Sequence, residues 1–564
     1  MTAWRLFKSG KFGEVFVRSL KVLKNSSIKY EVDYTKWHRT WVDLNDDKRN
    51  QILESIESLP EHPSFTIFLP VDNANPSLLF QTIQSIRAQL YPNWSLFITN
   101  NTSFDPDFST KIDSLRDSRI KLMVLDDDVS NCCDVPTDWI VELSPDTQLH
   151  EAALFVTAVS SIENPKTKIM YCDHDHLNVQ GEYCDPHMKP RWNPDLFAAI
   201  NYMTPFVICE KELWETNRDK EDTQHDFLLK ATKTISDDAI LHMPYVLTSV
   251  YISDDRSHLS PVVRKVEHSL PMPEPLVSIL IPTRDQGKLL GKCLQSLYEK
   301  TDYENFEVVL IDHESSEKSA LKIIETYRKK ENFEVIEFSG PFNFSAMMNQ
   351  AASLAKGQIL VLLNNDTEVL ESVWLTELAS QISRPEVGIV GALLLFGDGS
   401  IQHAGVHPGV GGLMGHGHKH LSGDSAGYFN RLKAVHEVSA VTGACLAIEK
   451  PFWDDLGGLD EQNLTVAYND IDLCLKAHQK GFRIIFTPFA KLMHHESVSR
   501  GSDDDPAVNK RLNQEINVML DRWGDLLEYD PAYSPNLSLK DTSFALSEEP
   551  RIIPMWKKFI KNPL

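Results

Sequence analysis

The feature that most constrains the fold is a segment that the chain contains twice. The first copy, FTIFLPVDNANPSLLFQTIQSIRAQLYPNWSLFITNN, begins at Phe65, and the second, VSILIPTRDQGKLLGKCLQSLYEKTDYENFEVVLIDH, begins at Val277. In both, an apolar run ends in a proline and is followed by a polar loop, an amphipathic run and a second apolar run, so that Pro70 corresponds to Pro282. A repeat of this kind predicts two domains that share one fold.

Apolar strands and amphipathic helices alternate in each copy. For the second copy the patterns predict strands over 277–282, 307–312, 358–363 and 387–395, and helices over 287–299, 316–330, 345–355 and 371–382. Near-continuous apolar strands separated by helices are typical of a mostly parallel sheet that is covered on both faces. Ligands bind such sheets at the carboxyl ends of the strands. Pro282, Asp312 and Asp366 follow predicted strands, so we expect them to line one crevice.

The composition narrows the classes of function. The 564 residues carry a formal net charge of −24, which argues against a nucleic-acid-binding surface over the whole molecule. None of the apolar runs approaches the ~18 residues of a membrane-spanning helix, and the first residues lack the apolar core of a secretory signal. The eight cysteines contain no CxxC pair, so reduced thiols and a cytoplasmic location are expected.

The two ends of the chain differ from its middle. Residues 1–29 interleave lysines and arginines with aromatic and aliphatic residues, and the last stretch, RIIPMWKKFIKNPL, has the same character. Basic amphipathic segments can lie on an anionic membrane surface. We therefore expect peripheral contact with the inner face of the cytoplasmic membrane, with packing on the protein's own body as the alternative.

These patterns divide the chain into five parts. They are a basic amphipathic helical region at 1–60, a first α/β module at 61–252, a linker at 253–275, a second α/β module at 276–502 and a helical tail at 503–564. The linker is expected because its sequence is polar and contains prolines.

Several long motifs follow one another in the second copy. They are IPTRD at Ile281, FNFSAMMNQAASLAKG at Phe342, LLNNDTEV at Leu362, IQHAGV at Ile401, VSAVTGACLAIEK at Val438, LGGLDEQNLTVAYNDIDLCLKAHQKGFR at Leu456 and LMHHESVSRG at Leu492. In this order they resemble glycosyltransferase family 2, over about Pro275 to Ser502. The resemblance implies two tandem GT-A modules, which are Rossmann-like and mostly parallel, with helical N- and C-terminal extensions. The subgroup it is most similar to is rhamnosyltransferase-like and builds bacterial O-antigen and related surface polysaccharides.

The resemblance implies an inverting, metal-dependent transfer of a sugar, with L-rhamnose as a candidate, from a nucleotide-diphosphate sugar to a lipid-linked or polysaccharide acceptor. A divalent metal, Mg²⁺ or Mn²⁺, neutralises charge on the leaving group and prefers oxygen ligands. By resemblance, Asp366 and His494 are the metal ligands, with His495 as the second choice for the histidine. Asn364 stands where the family has a first acid, which leaves fewer protein charges on the metal.

The general base implied by the resemblance is Asp470. Asp472 lies two residues further on and is the competing candidate, but on a helix it can pair with Lys476 instead. A carboxylate near the reacting carbon suits deprotonation of an acceptor hydroxyl. Direct attack by that hydroxyl gives inversion.

The remaining site residues divide between donor and acceptor. Those expected to bind the nucleotide sugar are Pro282, Thr283, Arg284, Asp285, Asp312, Asn343, Asn349, Asn364 and Asn365, and those expected on the acceptor side are His403, His416, Gly443 and Ala444. The glycine- and histidine-rich segment GVGGLMGHGHKH, 409–420, is predicted to be a mobile acceptor loop, and a zinc site on its alternating histidines is the alternative.

The first copy lacks most of these residues. Asn100 stands for Asp312, Gln224 for Asp470, and the strand that carries the metal histidine has none. We therefore predict that this module is non-catalytic and either binds glycan or braces the second. It keeps a group of residues that suit a sugar or simple packing, namely Asp173, Asp175, Lys189 and Trp192. The alternatives for the whole chain are a transferase with two active modules and a non-catalytic carbohydrate-binding or scaffold protein.

Overall fold

The computed structural model describes residues 32–72, 74–124, 136–219, 222–252, 261–495, 506–527 and 529–558. The predicted membrane-binding segment at 1–29 lies outside these ranges, as do the last six residues of the chain. None of the helices in the described ranges is both long enough and apolar enough to cross a bilayer.

Two helices, α1 (Tyr34–Trp41) and α2 (Asp46–Glu57), precede the first module. Each begins at a side-chain cap, because Asp33 accepts from the amide of Lys36 and Asn45 accepts from that of Lys48. These caps explain the two helix starts within the predicted helical extension.

The first module is a nine-stranded sheet with helices on both faces. Its strands are β1 (Phe65–Pro70), β2 (Trp94–Asn100), β3 (Ile120–Val124), β4 (Trp139–Glu142), β5 (Thr147–Leu149), β6 (Ile169–Leu177), β7 (Tyr183–His187), β8 (Val207–Glu210) and β9 (Ile240–Tyr251). Its helices are α3 (Pro76–Arg87), α4 (Pro106–Asp113), α5 (Ala153–Glu163), α6 (Pro194–Ala199), α7 (Lys211–Asn217) and α8 (Gln224–Thr232). The strand order is β3-β2-β1-β4-β8-β6-β9-β5, and β7 pairs with β6.

The second module repeats this plan. Its strands are β10 (Val277–Thr283), β11 (Phe306–Asp312), β12 (Phe333–Glu337), β13 (Ile359–Leu363), β14 (Thr367–Val369), β15 (Val387–Leu395), β16 (Ile401–His403), β17 (Val406–Pro408), β18 (Met414–His416), β19 (His436–Glu437), β20 (Cys445–Glu449) and β21 (Arg483–His494). Its helices are α9 (Gly287–Lys300), α10 (Lys318–Tyr327), α11 (Phe344–Leu354), α12 (Trp374–Ile382), α13 (Lys450–Leu456) and α14 (Asn469–Gln479). The main strand order is β12-β11-β10-β13-β20-β15-β21-β14.

The two orders correspond strand for strand, which confirms that both modules have one fold. The register agrees as well, because Thr147 lies opposite Val250 in the first module and Thr367 lies opposite His494 in the second. The sheets are mixed rather than mostly parallel. Strands β10 to β13 are parallel, but β20 enters antiparallel between β13 and β15.

The C-terminal part is helical only at its ends, in α15 (Pro506–Trp523) and α16 (Met555–Lys558). Between them an extended segment lies across both modules. The amide of Asn536 donates to Asp173 of the first module at 2.8 Å, and Asp530 contacts His407 of the second at 3.0 Å. Contacts between residues that are far apart in the sequence leave no periodic pattern. The sequence analysis therefore predicted a helical tail.

The modules also contact each other directly. The carboxylate of Asp195 in the first module pairs with Arg384 at 2.7 Å and with Arg483 at 2.6 Å, both from the second. Each oxygen of the Asp195 carboxylate contacts one of the two guanidinium groups, and all three side chains are largely buried. These paired contacts fix the relative position of the two sheets.

Candidate active site

The carboxyl ends of β10, β11 and β13 meet at one edge of the second sheet. Thr283, the last residue of β10, lies opposite Asp312, the last residue of β11. Asn365 follows β13 and its side-chain amide donates to the Thr283 hydroxyl at 2.8 Å. Three residues predicted to bind the donor nucleotide are therefore neighbours in space, although 82 positions separate Thr283 from Asn365.

Asp366 and His494 form a close pair beside these strand ends. His494 Nε2 lies 3.1 Å from Asp366 Oδ1. The pair is set by backbone pairing, because β14 and β21 are antiparallel and the amide of His495 donates to the carbonyl of Asp366 at 2.9 Å. His495 turns elsewhere, with Nε2 at 3.2 Å from Glu368, and is separated from the pair.

The hydrogen bonds of His494 select one tautomer of its ring. Its Nδ1 lies 2.6 Å from the side-chain oxygen of Gln402, so Nδ1 carries the proton and donates. The amide of Asn364 lies 3.2 Å from Nε2 and can donate to it. These two contacts hold the ring in one orientation beside Asp366.

Asp366 is ionised in this setting. Asp366 is 8% exposed, and this burial is the largest single influence and raises its pKa, but the contacts with His494, a backbone hydrogen bond and the nearby His495 together lower the pKa below its usual value. Its Oδ1 atom is buried and makes no well-formed hydrogen bond. Asp366 Oδ1 and His494 Nε2 thus face each other in a largely buried position, and the carboxylate would stabilise a cation bound there.

The Asp366–His494 geometry fits a divalent metal. Two ligands at right angles on Mg²⁺, with bonds of about 2.1 Å, are separated by about 3.0 Å. The observed separation of 3.1 Å matches that value. Within the described ranges there is no group of three or more His, Cys, Asp or Glu side chains that could hold a metal. The protein would therefore supply two ligands and leave the others to phosphate and water, as is usual for Mg²⁺.

Asp470 and Asp472 occupy different environments at the start of α14. Asp470 is half-buried, and its Oδ2 accepts from the amide of Gly443 at 2.8 Å. Asp472 is fully buried, and its carboxylate is engaged by a set of three side chains, Trp523 at 3.0 Å, Arg522 at 3.1 Å and Lys476 at 2.7 Å. Asp472 therefore anchors α15 to α14, while Asp470 remains accessible from the cleft.

The donor loop after β10 is braced by its own side chains. Asp285 Oδ1 accepts from the amides of Ser316 and Glu317 at 2.6 and 2.7 Å. These two bonds lower the pKa of Asp285, and they hold this loop against the one that follows β11. Pro282 is half-buried at the strand end, and Arg284 is exposed beside it.

Two asparagines predicted to face the diphosphate are occupied elsewhere. Asn343 caps α11 by accepting from the amide of Ala346 at 3.0 Å, and its amide donates to the carbonyl of Glu461 at 2.9 Å. Asn349 exchanges hydrogen bonds with the backbone of Leu459 at 2.9 and 3.0 Å. The structure therefore uses both to hold the segment before α14.

The residues predicted for the acceptor side lie around His403. This buried side chain contacts His416 through their Nδ1 atoms at 2.9 Å, and its Nε2 accepts from the amide of Thr442 at 3.4 Å. Burial, with the neighbouring histidines, lowers the pKa of His403 well below its usual value, so it is neutral. Next to it, Gly443 lies so close to Asp470 that a Cβ atom there would be 3.4 Å from the Cβ of Asp470. Ala444 accepts from the backbone amide of Asn364 at 3.1 Å and joins this side to the metal pair.

The glycine-rich segment 409–420 is fixed in place rather than mobile. The amide of Gly411 donates to Leu539 at 2.9 Å and that of His418 donates to Thr542 at 3.1 Å, so the tail covers the segment. The histidines diverge, because His418 stacks on Phe544 while His416 contacts His403. They do not share the face that a zinc site would require.

In the first module, the residues retained for a sugar are engaged in packing. Lys189 is fully buried and donates to the carbonyls of Met203 and Thr204, and burial lowers its pKa to about 8. Asp173 accepts from the amides of Lys189 and Asn536 and contacts His242.

The other two retained residues are likewise held by protein. Asp175 accepts from the hydroxyl of Tyr34 at 2.6 Å, and the indole of Trp192 donates to Asp237 at 2.7 Å. Each of the four retained side chains is therefore engaged by protein groups, and packing accounts for these contacts without a ligand.

Gln402 is the residue of the site that the sequence did not identify. It lies beside His403 in the motif IQHAGV. Its contact with His494 depends on the sheet, because β15 pairs with β16, which carries Gln402, and with β21, which carries His494. Its position as a buried polar side chain directly beside His403 in the short strand β16 was the available signal.

The candidate site therefore consists of the Asp366–His494 pair, the half-buried Asp470 and the loops that follow β10, β11 and β13. Residues 278–427 match the family described as "Glycosyl transferase family 2". The match lies within the second module, and the strand-for-strand correspondence of the sheets shows that the first module has the same fold.

Two relatives align along nearly the whole chain. The uncharacterized protein y4gI of Sinorhizobium fredii is 34% identical over 557 residues, which cover 90% of this chain and 61% of that protein. The O-antigen biosynthesis protein RfbC of Myxococcus xanthus is 28% identical over 542 residues, which cover 88% of this chain and 42% of that protein. The chain thus spans less than two thirds of either relative. Among solved structures, GalNAc-T7 with UDP, GalNAc and Mn²⁺ aligns at 19% identity and a TM-score of 0.36, over 45% of this chain and 50% of that one.

Proposed function

We propose that the second module transfers a sugar from a nucleotide-diphosphate sugar to a hydroxyl group of a lipid-linked or polysaccharide acceptor, with inversion and with the help of Mg²⁺ or Mn²⁺. The observation that carries this proposal is the placement of Asp366, His494 and Asp470 around the strand ends of a family 2 domain. The printed name of the Myxococcus relative supports synthesis of a cell-surface glycan. L-Rhamnose remains the candidate sugar.

The chain's own residues divide the work of the proposed reaction. Asp366 Oδ1 and His494 Nε2 would hold the metal, which when bound neutralises charge on the leaving diphosphate. Thr283, Asp312 and Asn365 would hold the nucleoside at the strand ends.

Asp470 is proposed as the general base. The amide of Gly443 donates to one of its oxygens and orients the carboxylate, while partial exposure lets an acceptor hydroxyl approach. Proton removal from that hydroxyl, followed by direct attack on the anomeric carbon, inverts the configuration. The absence of a side chain at Gly443 leaves room for the acceptor beside the base.

A donor panel tests the proposal. The purified chain is incubated with dTDP-, UDP- and GDP-sugars and Mn²⁺, and nucleoside diphosphate release is measured with and without a bacterial lipid-linked glycan extract. Release from at least one donor, increased by the extract and abolished by EDTA, is the expected result. If the chain neither turns over nor binds any donor in the panel, the alternative of a non-catalytic carbohydrate-binding scaffold protein is favoured instead.

Peripheral membrane contact through the N-terminal basic segment is a separate part of the proposal, and it rests on the charge pattern of residues 1–29. In the last stretch of the chain, Met555 and Trp556 are instead buried against the first module, and Lys48 Nζ lies 3.5 Å from the centre of the Trp556 ring. Deletion of residues 1–29 should reduce co-sedimentation with vesicles that contain anionic lipid and leave the behaviour with neutral vesicles unchanged. Equal co-sedimentation of the full and shortened chains would reject this anchor.

A further inference from the structure

The repeated fold identifies a counterpart of the acceptor histidine in the first module. Leu394 of β15 lies opposite His403 of β16, and His174 of β6 lies opposite His187 of β7. Since β6 and β7 occupy the places of β15 and β16, His187 corresponds to His403. The groove beside His187 is therefore the first module's equivalent of the acceptor side.

That groove is filled by the second module. The ring of Phe429 stacks on His187 with centroids 3.5 Å apart and an interplanar angle of 9°. Next to it, the Tyr428 hydroxyl accepts from the amide of Met188 at 2.9 Å. A stacked aromatic pair in this position leaves no room for a sugar ring on the same face of His187.

The segment that enters the groove has an unfavourable backbone. Phe429 and Asn430 have φ of 47° and 63°, which is the left-handed region. A bulky residue such as Phe429 adopts this region rarely, whereas asparagine adopts it more readily. Such a conformation persists only where surrounding contacts determine it, and the contacts of Phe429 and Tyr428 with the first module do so.

The same segment is connected to the proposed acceptor side. The amide of Tyr428 donates to His418 Nε2 at 3.0 Å, and His418 follows β18, which ends at His416. His416 contacts His403, and His403 accepts from the amide of Thr442 beside Gly443. A continuous set of contacts thus runs from the first module to the residue that orients Asp470.

We propose that the first module is a positioning domain whose former acceptor groove holds Phe429 and thereby sets the acceptor side of the second module. This inference rests on the proposed function. Phe429 and His187 touch neither substrate nor the reacting atoms, so they are positioning residues. The groove, being filled, binds no glycan of its own.

Phe429→Ala tests the proposal. We expect hydrogen exchange of 409–420 to increase, and kcat/KM for sugar transfer to a bacterial lipid-linked glycan extract to fall roughly tenfold. Donor hydrolysis without the extract should stay unchanged, because the metal pair and the donor loops do not contact this segment. Phe429→Tyr keeps the stack and should behave as the wild type.

Asp195→Asn is the matched control, because it weakens the interface between the modules at Arg384 and Arg483, neither of which belongs to the segment that contains Phe429. It should leave exchange of 409–420 and transfer unchanged. If it reproduces the effects of Phe429→Ala, or if Phe429→Ala alters hydrolysis and transfer equally, the positioning role is overturned. His187→Ala removes the same stack if Phe429→Ala fails to fold. Lack of turnover by the wild type would refute the proposed function, and the exchange result would still test whether the groove holds the segment.

Discussion

Replacement of Asp470 by asparagine is expected to lower kcat of sugar transfer by about 10²–10⁴-fold, the usual contribution of a general base. The amide of asparagine cannot accept the proton of the acceptor hydroxyl at neutral pH. Its side-chain oxygen can still accept from the amide of Gly443, which now orients Asp470 at 2.8 Å, so the shape of the cleft is retained. Transfer is measured by steady-state kinetics with the donor identified in the panel, and the donor Kd, measured by calorimetry, should stay nearly constant.

Asp472→Asn is the matched control on the same helix. The substitution removes the charge that engages Arg522 and Lys476 in a buried network, and breaking such a network costs about 3–5 kcal/mol. The expected result is a lower Tm with normal activity per folded molecule. An active Asp470→Asn together with a well-folded but inactive Asp472→Asn would exchange the two assignments.

Gene duplication offers a comparison that substitution alone does not. At the place of Asp470 the first module has Gln224, at the start of α8, and opposite Thr147 it has Val250, where the second module has His494 opposite Thr367. The first module is thus a natural variant that lacks counterparts of both the proposed base and the proposed metal histidine. Its sheet is nevertheless intact, so the fold does not require these residues.

The sequence predicted the local structure of the second module well. Strand β15 has the predicted bounds, and α9 differs from its prediction by one residue, because continuous apolar runs and helical periodicity are local signals. The convergence of strand ends also followed from the sequence, since a parallel βαβ arrangement brings them to one edge.

What the sequence could not show arises from contacts between distant segments. The segment 409–420 looked mobile because of its glycines, but the amides of Gly411 and His418 are held by a tail more than a hundred residues away. Asn349 was assigned to the donor because it lies in a family motif, yet its side chain is used by Leu459. Periodicity and motifs carry no information about such partners.

Replacement of Asp366 by asparagine is expected to remove metal-dependent transfer, with a loss of about 10²-fold or more, because a metal contributes several kcal/mol of charge stabilisation. Mn²⁺ binding, followed by electron paramagnetic resonance without any donor, should weaken in parallel. Asp146→Asn is the matched control, since Asp146 precedes Thr147 as Asp366 precedes Thr367, but Thr147 lies opposite Val250 whereas Thr367 lies opposite His494. It should change neither Mn²⁺ binding nor transfer, and an equal loss in both variants would show that the first module also holds metal.

Gln402→Leu, measured in the same Mn²⁺-binding and transfer experiments, tests the orientation of the proposed metal ligand His494 without changing the charge of Asp366. Leucine has a similar size but cannot accept the proton of His494 Nδ1, which Gln402 now accepts at 2.6 Å. Loss of such an outer hydrogen bond weakens metal affinity by about 10–100-fold, because the ring loses its fixed tautomer and orientation. The carboxylate of Asp366 is unchanged in this variant, so transfer should recover at high Mn²⁺, whereas Asp366→Asn should not recover. Failure of Gln402→Leu to alter Mn²⁺ affinity would mean that His494 is not a metal ligand, and that its contact with Asp366 is an ordinary hydrogen bond within the fold.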